Sequence, residues 1–190
     1  MAVSSTLKNM VICLTGVCLV CSAILGGVYV LTQEPIARAE KANLEAALSQ
    51  VVPDGYKIST EPVFKEMDGN RYECYQALGA AGNESAMAVK STVNGFGGQL
   101  TVLVGVTCDG CVYATKVLSH SETPGLGAKC SDAGSHFVTQ FNGFDPAKKS
   151  LKVKKDGGDV DAITASTITS RAYALAVENA VKLMKEDSNE

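Results

Sequence analysis

The chain has no tryptophan, and aromatic residues make up only 6% of its 190 positions. That leaves no platform on which nucleic-acid bases could stack. The formal net charge is −3 and the basic residues are scattered along the sequence, so the clustered positive face of a nucleic-acid binder is missing as well. Nucleic acid is excluded as a partner. Internal repeats and low-complexity tracts are also absent, which argues against solenoid and disordered classes. Histidine occurs twice, at His120 and His136, and a lone histidine is more often structural than catalytic; neither is assigned a role.

Outside the apolar N-terminal segment one C-x-x-C is present, Cys108-Asp109-Gly110-Cys111. No second such pair or Cys/His pair completes a metal site, so no metal is expected. The pair is open to three readings: a disulfide across a turn if the domain faces an oxidising space, half of a metal site, or two independent thiols. A thioredoxin-type dithiol fits least, because that motif belongs at a helix start. Cys74 and Cys130 stand apart, and Cys13, Cys18 and Cys21 fall in an apolar segment as small membrane-buried side chains.

That segment is the longest feature. Val11 to Leu31 carries no charge, and at about 1.5 Å per residue it spans roughly the 30 Å of a bilayer's hydrocarbon core. Ala37-Arg38-Ala39 supplies a signal-peptidase pattern, but the run exceeds the roughly 7–15 apolar residues of a signal peptide. A retained anchor is expected. Lys8 on one side against Arg38 and Lys41 on the other does not settle its orientation. About 150 residues then remain, enough for one domain with a real core. The expected division is 1–31 tail and transmembrane anchor, 32–55 linker helix, and 56–190 a single domain.

Glu34-Pro35 opens the linker helix, since proline suits a first helical position, and Asp54-Gly55 ends it after Gln50. Val63 to Gly79 reads as two strands around the turn Met67–Arg71, and Ala86 to Ser91 extends the sheet. Leu100–Thr107 and Val112–Leu118 form a hairpin closed by Asp109-Gly110. Asp132 to Phe141 is a short helix, Leu151–Lys154 a short strand, and Arg171–Glu186 a closing helix. Its apolar face is Ala172, Leu175, Ala176, Asn179 and Leu183, widened by Val177, Ala180, Val181 and Met184. The class is α+β, mostly antiparallel sheet with flanking helices.

Three loops stand out. Gly95-Phe96-Gly97-Gly98 leaves room for close approach of backbone or ligand. Ser119 to Gly127 contains Pro124, Gly125 and Gly127, and can aim backbone N–H groups at a planar polar ring while Glu122 and Thr123 add side-chain partners. The third, Asp161 to Arg171, is crowded with hydroxyls: Thr164, Ser166, Thr167, Thr169 and Ser170. One or two would cap a helix. The excess suggests oxygen atoms presented to a ligand, at a helix start whose free N–H groups suit a phosphate.

Asp161-x-x-Thr164-Ala165-Ser166-Thr167 resembles the flavinylation motif D-x-x-S/T-G-A-T of the FMN-binding domain family. Ser121-Glu122-Thr123-Pro124-Gly125-Leu126-Gly127 resembles the SETPGLG signature of the G subunit of the Rnf electron-transport complex. With the anchor and Gly95–Gly98, the resemblance spans nearly the whole chain; Ala165 and Ser166 depart from the usual Gly and Ala. The resemblance implies a membrane-anchored FMN-binding domain carrying FMN covalently, its phosphate esterified to Thr167. Asp161, Thr164, Ala165 and Ser166 would form the recognition loop, and Glu122, Thr123, Gly125 and Leu126 would hold the isoalloxazine. No catalytic residue is implied, because the protein would relay electrons within a complex working between ferredoxin and NAD while moving Na⁺ or H⁺. The implied partners are the other membrane subunits, a flavin transferase that installs the group from FAD, and membrane lipid. The implied location is the bacterial inner membrane, crossed once, with the domain on the extracytoplasmic side. Three alternatives stay open: the C subunit of the Na⁺-translocating NADH:quinone oxidoreductase, which shares motif and anchor but is usually longer; a non-catalytic membrane-anchored binding domain whose hydroxyl loop only caps a helix; and a free-standing flavin domain.

Overall fold

The computed structural model describes residues 7–79 and 85–187; the tail residues 1–6 lie outside the described part. The chain divides into two units, residues 1–43 and 44–190. A single helix, α1, runs over Leu7–Val51. Every residue of it from Leu7 to Asn43 is exposed, including Val11, Leu19, Ile24, Tyr29 and Leu31. It is the one described helix long and apolar enough to cross a membrane. By length and composition it matches the hydrocarbon thickness of a bilayer.

The separate linker helix expected from Pro35 does not form, because Pro35 lies inside α1. Proline removes one backbone donor and crowds the preceding turn. Ending a helix there would instead strand several carbonyls and N–H groups, and helix already propagated on both sides is cooperative enough to run through. The Thr32 hydroxyl donates to the Val28 carbonyl at 2.8 Å in the turn just before.

In the second unit the strands build one sheet with an apolar layer on each face, one of them made with the last turns of α1. The strands are β1 (Lys57–Ile58), β2 (Val63–Met67), β3 (Asn70–Leu78), β4 (Ser85–Asn94), β5 (Gln99–Thr107) and β6 (Val112–His120). Their order is β1-β3-β4-β5-β6, with β2 also on β3, and every pairing is antiparallel. The expected turn after β2 is a tight one with both central residues left-handed, Asp68 at φ 53° and Gly69 at φ 75°, which matches the twist of the strands it joins.

Side chains alternate between the two layers as strand geometry requires. Tyr72, Cys74, Met87, Val89, Leu100, Val102, Val104 and Val106 face one core. Tyr75, Ala77, Ala86, Ala88 and Leu103 face the other, against Ala47, Leu48, Val51 and Val52. Burial on both sides is why β5 reads as a nearly unbroken apolar run. Gly105 has no side chain because the Val51 carbonyl occupies the place a Cβ would take.

The first core is closed by α2 (His136–Thr139) and α3 (Thr167–Asp187). Phe137, Phe141 and Tyr173 pack edge to face or tilted, with centroids 5.0–5.6 Å apart. The Tyr173 hydroxyl donates to Thr115 Oγ1 at 2.8 Å, so the buried phenol is satisfied. The short helix expected over Asp132–Phe141 is confined to His136–Thr139. Leu175 is 48% exposed and lies off the buried face of α3, which is completed by Tyr173 and Ala174 instead. Leu151–Lys154 is not a regular strand: Val153 makes an isolated bridge to Val160, and a 3-10 turn over Lys154–Asp156 follows at once. Gly157 at φ 81° caps that turn and reverses the chain before a longer ladder can grow.

Candidate functional site

The loops between β4 and β5 and after β6 meet the start of α3. The meeting is fixed by Glu122, which is 6% exposed. Its Oε1 accepts from the Phe96 N–H at 2.8 Å, and its Oε2 accepts from the Thr169 hydroxyl at 2.9 Å. Its own N–H donates to His120 Nδ1 at 3.2 Å, while His120 Nε2 and the Ser131 hydroxyl lie 3.2 Å apart. His120 therefore holds loop to loop. The bond from Thr169, in the first turn of α3, also brings the carboxylate toward the positive end of that helix.

The glycines around it admit this contact. A Cβ on Gly95 would run into Glu122 Oε1, and one on Gly97 into the Ser121 carbonyl. The close approach expected at Gly95–Gly98 is thus made by the Ser121-Glu122 segment. Cys130 is buried beside the same carboxylate, and burial first, then the Glu122 charge, push its thiol up to about 11.

The hydroxyl loop has a geometry of its own. The Ser166 N–H donates to the Ile163 carbonyl at 3.0 Å, with Ala165 at φ 61° in the left-handed region. Thr164-Ala165 is therefore the centre of a type II turn, whose third residue needs a positive φ and is ordinarily glycine. The fully buried Ser170 hydroxyl donates to the Ser166 carbonyl and accepts from the Ile163 N–H, both at 2.9 Å. Thr167 follows as the first residue of α3, a few residues earlier than the expected helix start at Arg171. Its hydroxyl accepts from Lys155 Nζ at 3.3 Å.

These elements enclose a cavity of about 280 Å³ lined by Phe96, Glu122, Thr123, Leu126, Gly127, Ala165, Ser166, Thr167, Ile168 and Thr169. The volume lies near the lower end for small-ligand sites. Phe96 at 68%, Leu126 at 44% and Ile168 at 50% exposure are its apolar walls. Of the residues singled out in the sequence, Glu122, Thr123, Leu126, Ala165, Ser166 and Thr167 come together here. Gly125 shapes the loop at φ 76° without lining the cavity. Asp161 and Thr164 lie on a neighbouring cleft with His136 and Lys129. The Asp161 N–H and carbonyl pair with the Gln140 side-chain amide at 2.7 and 3.0 Å, and its carboxylate pairs with Lys154 at 2.7 Å.

The sequence does not single out Phe96, Ile168 or Lys155 as individual side chains, and marks Thr169 only as one of the loop's hydroxyls. Phe96 had a signal, an aromatic ring among glycines that cannot bury it. Ile168 also had one, an apolar residue inside a run of hydroxyls. Lys155 had none, since its place depends on how the 3-10 turn folds back.

Residues 95–182 match the FMN-binding domain family, and residues 1–51 match the RnfG N-terminal region. The G subunit of the ion-translocating oxidoreductase complex of Vibrio atlanticus (strain LGP32) is 34% identical over 172 residues, covering 84% of this chain and 81% of that protein. The protein of the same name from Shewanella piezotolerans is 35% identical over 179 residues, covering 88% and 84%. A solved structure, the C subunit of the Na⁺-translocating NADH-quinone reductase of Parabacteroides distasonis, aligns with a TM-score of 0.48 and 23% identity over 63% of this chain and 64% of that one. A likeness that slight does not bear on function.

Proposed function

Because the chain belongs to the family of G subunits of the ion-translocating oxidoreductase complex, we propose that it is a membrane-anchored flavoprotein relaying electrons within such a complex, with FMN joined through its phosphate to Thr167. The observation that carries the covalent part is the position of the Thr167 hydroxyl. It stands on the rim of a cavity with apolar walls, beside an ammonium group.

The donor set suits FMN. Phe96, Leu126 and Ile168 offer apolar surface to a flat ring system, and Thr123 and the loop backbone offer polar partners at its edge. Lys155 and the first turn of α3 suit a phosphate. Bound there, FMN supplies the redox chemistry, taking up and passing on electrons. The chain's own residues do the rest. Glu122 locks three segments into one wall through Phe96 and Thr169. Ser170 clamps the turn that presents Thr167. The apolar walls limit water at the ring, and burial and nearby charge are the means by which a protein tunes a flavin's potential.

A covalent tether is of most use where a dissociated cofactor would not be replaced. That supports a domain on the extracytoplasmic side of the inner membrane, matured by a flavin transferase and assembled with the complex's other membrane subunits. The expected test is in-gel flavin fluorescence of the denatured protein after co-expression with a flavin transferase. Wild type and Thr167→Ser fluoresce and Thr167→Ala is dark. A fluorescent Thr167→Ala band sinks the assignment of the attachment site. A dark wild type returns the chain to a binding domain whose hydroxyls cap a helix.

A further inference from the structure

Three consecutive residues of the 3-10 turn, Lys154, Lys155 and Asp156, are each tied to a different point of the hydroxyl loop. Lys154 pairs with Asp161 at 2.7 Å. Asp156 receives two hydrogen bonds from Arg171, from Nε and from Nη2, each 2.7 Å long. Between them Lys155 donates to Thr167 Oγ1 at 3.3 Å. The turn carrying them is held from behind by Gly157 in a left-handed cap, and by Gly158, where a Cβ would collide with the Lys152 carbonyl. The flanking ion pairs fix the backbone on both sides of Lys155, so its ammonium is aimed and not merely nearby.

A neutral threonine hydroxyl has no need of a cation, and 3.3 Å is long for a charge-assisted bond. A phosphate ester on that oxygen would place anionic oxygens within the same reach. Lysine is a point-charge partner for phosphate. We infer that Lys155 is a dedicated counter-ion for the phosphodiester on Thr167, held in place by the Lys154–Asp161 and Asp156–Arg171 pairs. The inference rests on the proposed attachment of FMN at Thr167. It adds that the site carries its own phosphate-neutralising side chain, supplied from outside both sequence motifs.

The test uses the full chain in detergent, purified flavin transferase and FAD, with covalent flavin followed by intact mass and the product examined by ³¹P NMR. Lys155→Ala is expected to take up flavin about three- to tenfold more slowly, the range for losing one exposed charge-assisted contact. Its phosphodiester resonance should also move from the wild-type position. Lys155→Arg should restore both, and Lys152→Ala, which removes a lysine with no contact to Thr167, should change neither. Wild-type rate and resonance in Lys155→Ala overturn the inference. So does a slower rate with an unmoved resonance, which would make Lys155 a docking residue for the transferase. A wild-type chain that takes up no flavin at Thr167 fails differently, removing the proposed attachment itself.

Discussion

Replacing Ala165 with glycine should stabilise the domain, against the usual direction of such a change. Ala165 holds φ 61° at the third position of a type II turn. An L-residue pays about 1–2 kcal/mol there because its Cβ crowds the following carbonyl. Glycine removes that cost but brings more freedom in the unfolded chain, roughly 0.5–1 kcal/mol against alanine. The difference favours glycine by about 0.5–1 kcal/mol, which for a domain of this size is a rise in Tm of about 1–4 °C. Thermal unfolding of the full chain in detergent, followed by circular dichroism, measures it. Ala46→Gly, at an exposed helical position of α1, is the control and should cost about 1 kcal/mol. Ala165→Val should fall further, because a β-branched residue is a poor occupant of positive φ. The turn geometry is wrong if Ala165→Gly lowers Tm as Ala46→Gly does.

Other substitutions read other parts of the site. Glu122→Ala strips the acceptor from the Phe96 N–H and the Thr169 hydroxyl and should cost about 2–4 kcal/mol; chemical denaturation that finds a change near zero would mean Glu122 does not hold the loops together. Arg171 beside Asp156 holds its carboxyl below the ordinary 3.8. A lowered pKa means this contribution is present above about pH 4 and lost as pH falls through the folded value. Asp156→Asn should therefore flatten the fall of Tm below about pH 4 and leave its neutral-pH slope alone; an unchanged acid limb would remove the clamp from the account. Among the four cysteines of the second unit, exposed Cys108 should react first with maleimide at neutral pH. Cys74 and Cys130, both buried with thiols pushed up to about 11 chiefly by burial, should wait for unfolding, and native labelling of either would contradict the core.

How far the sequence could be read depended on whether a signal was local. The antiparallel strands, their turns and the closing helix were visible because short apolar runs, the Asp-Gly and Met-Asp-Gly-Asn turns between them and a 3.6-residue stripe act over a few residues. Pro35 misled, because its local preference for a helix start lost to the cooperativity of the helix around it. Leu151–Lys154 had strand-like residues, but the Gly157-Gly158 reversal left Val153 a single bridge. Most of the cavity's loop residues were also legible, since they lie in two short motifs. The Phe96 wall and the Lys155 contact with Thr167 come from segments distant in sequence, while Ile168 and Thr169 sit beside Thr167 and are turned to the cavity only as α3 forms. Only the packing of α3 against the loops around Glu122 and the fold-back of the 3-10 turn bring them to one place.

The most direct measurement is the intact mass of the denatured full-length chain after co-expression with a flavin transferase, with the modified peptide mapped. The mass should rise by FMN less one water on the peptide that holds Thr167, and should not change in Thr167→Ala. An unmodified wild-type chain, or a flavin mapped to any other residue, would contradict the attachment at Thr167.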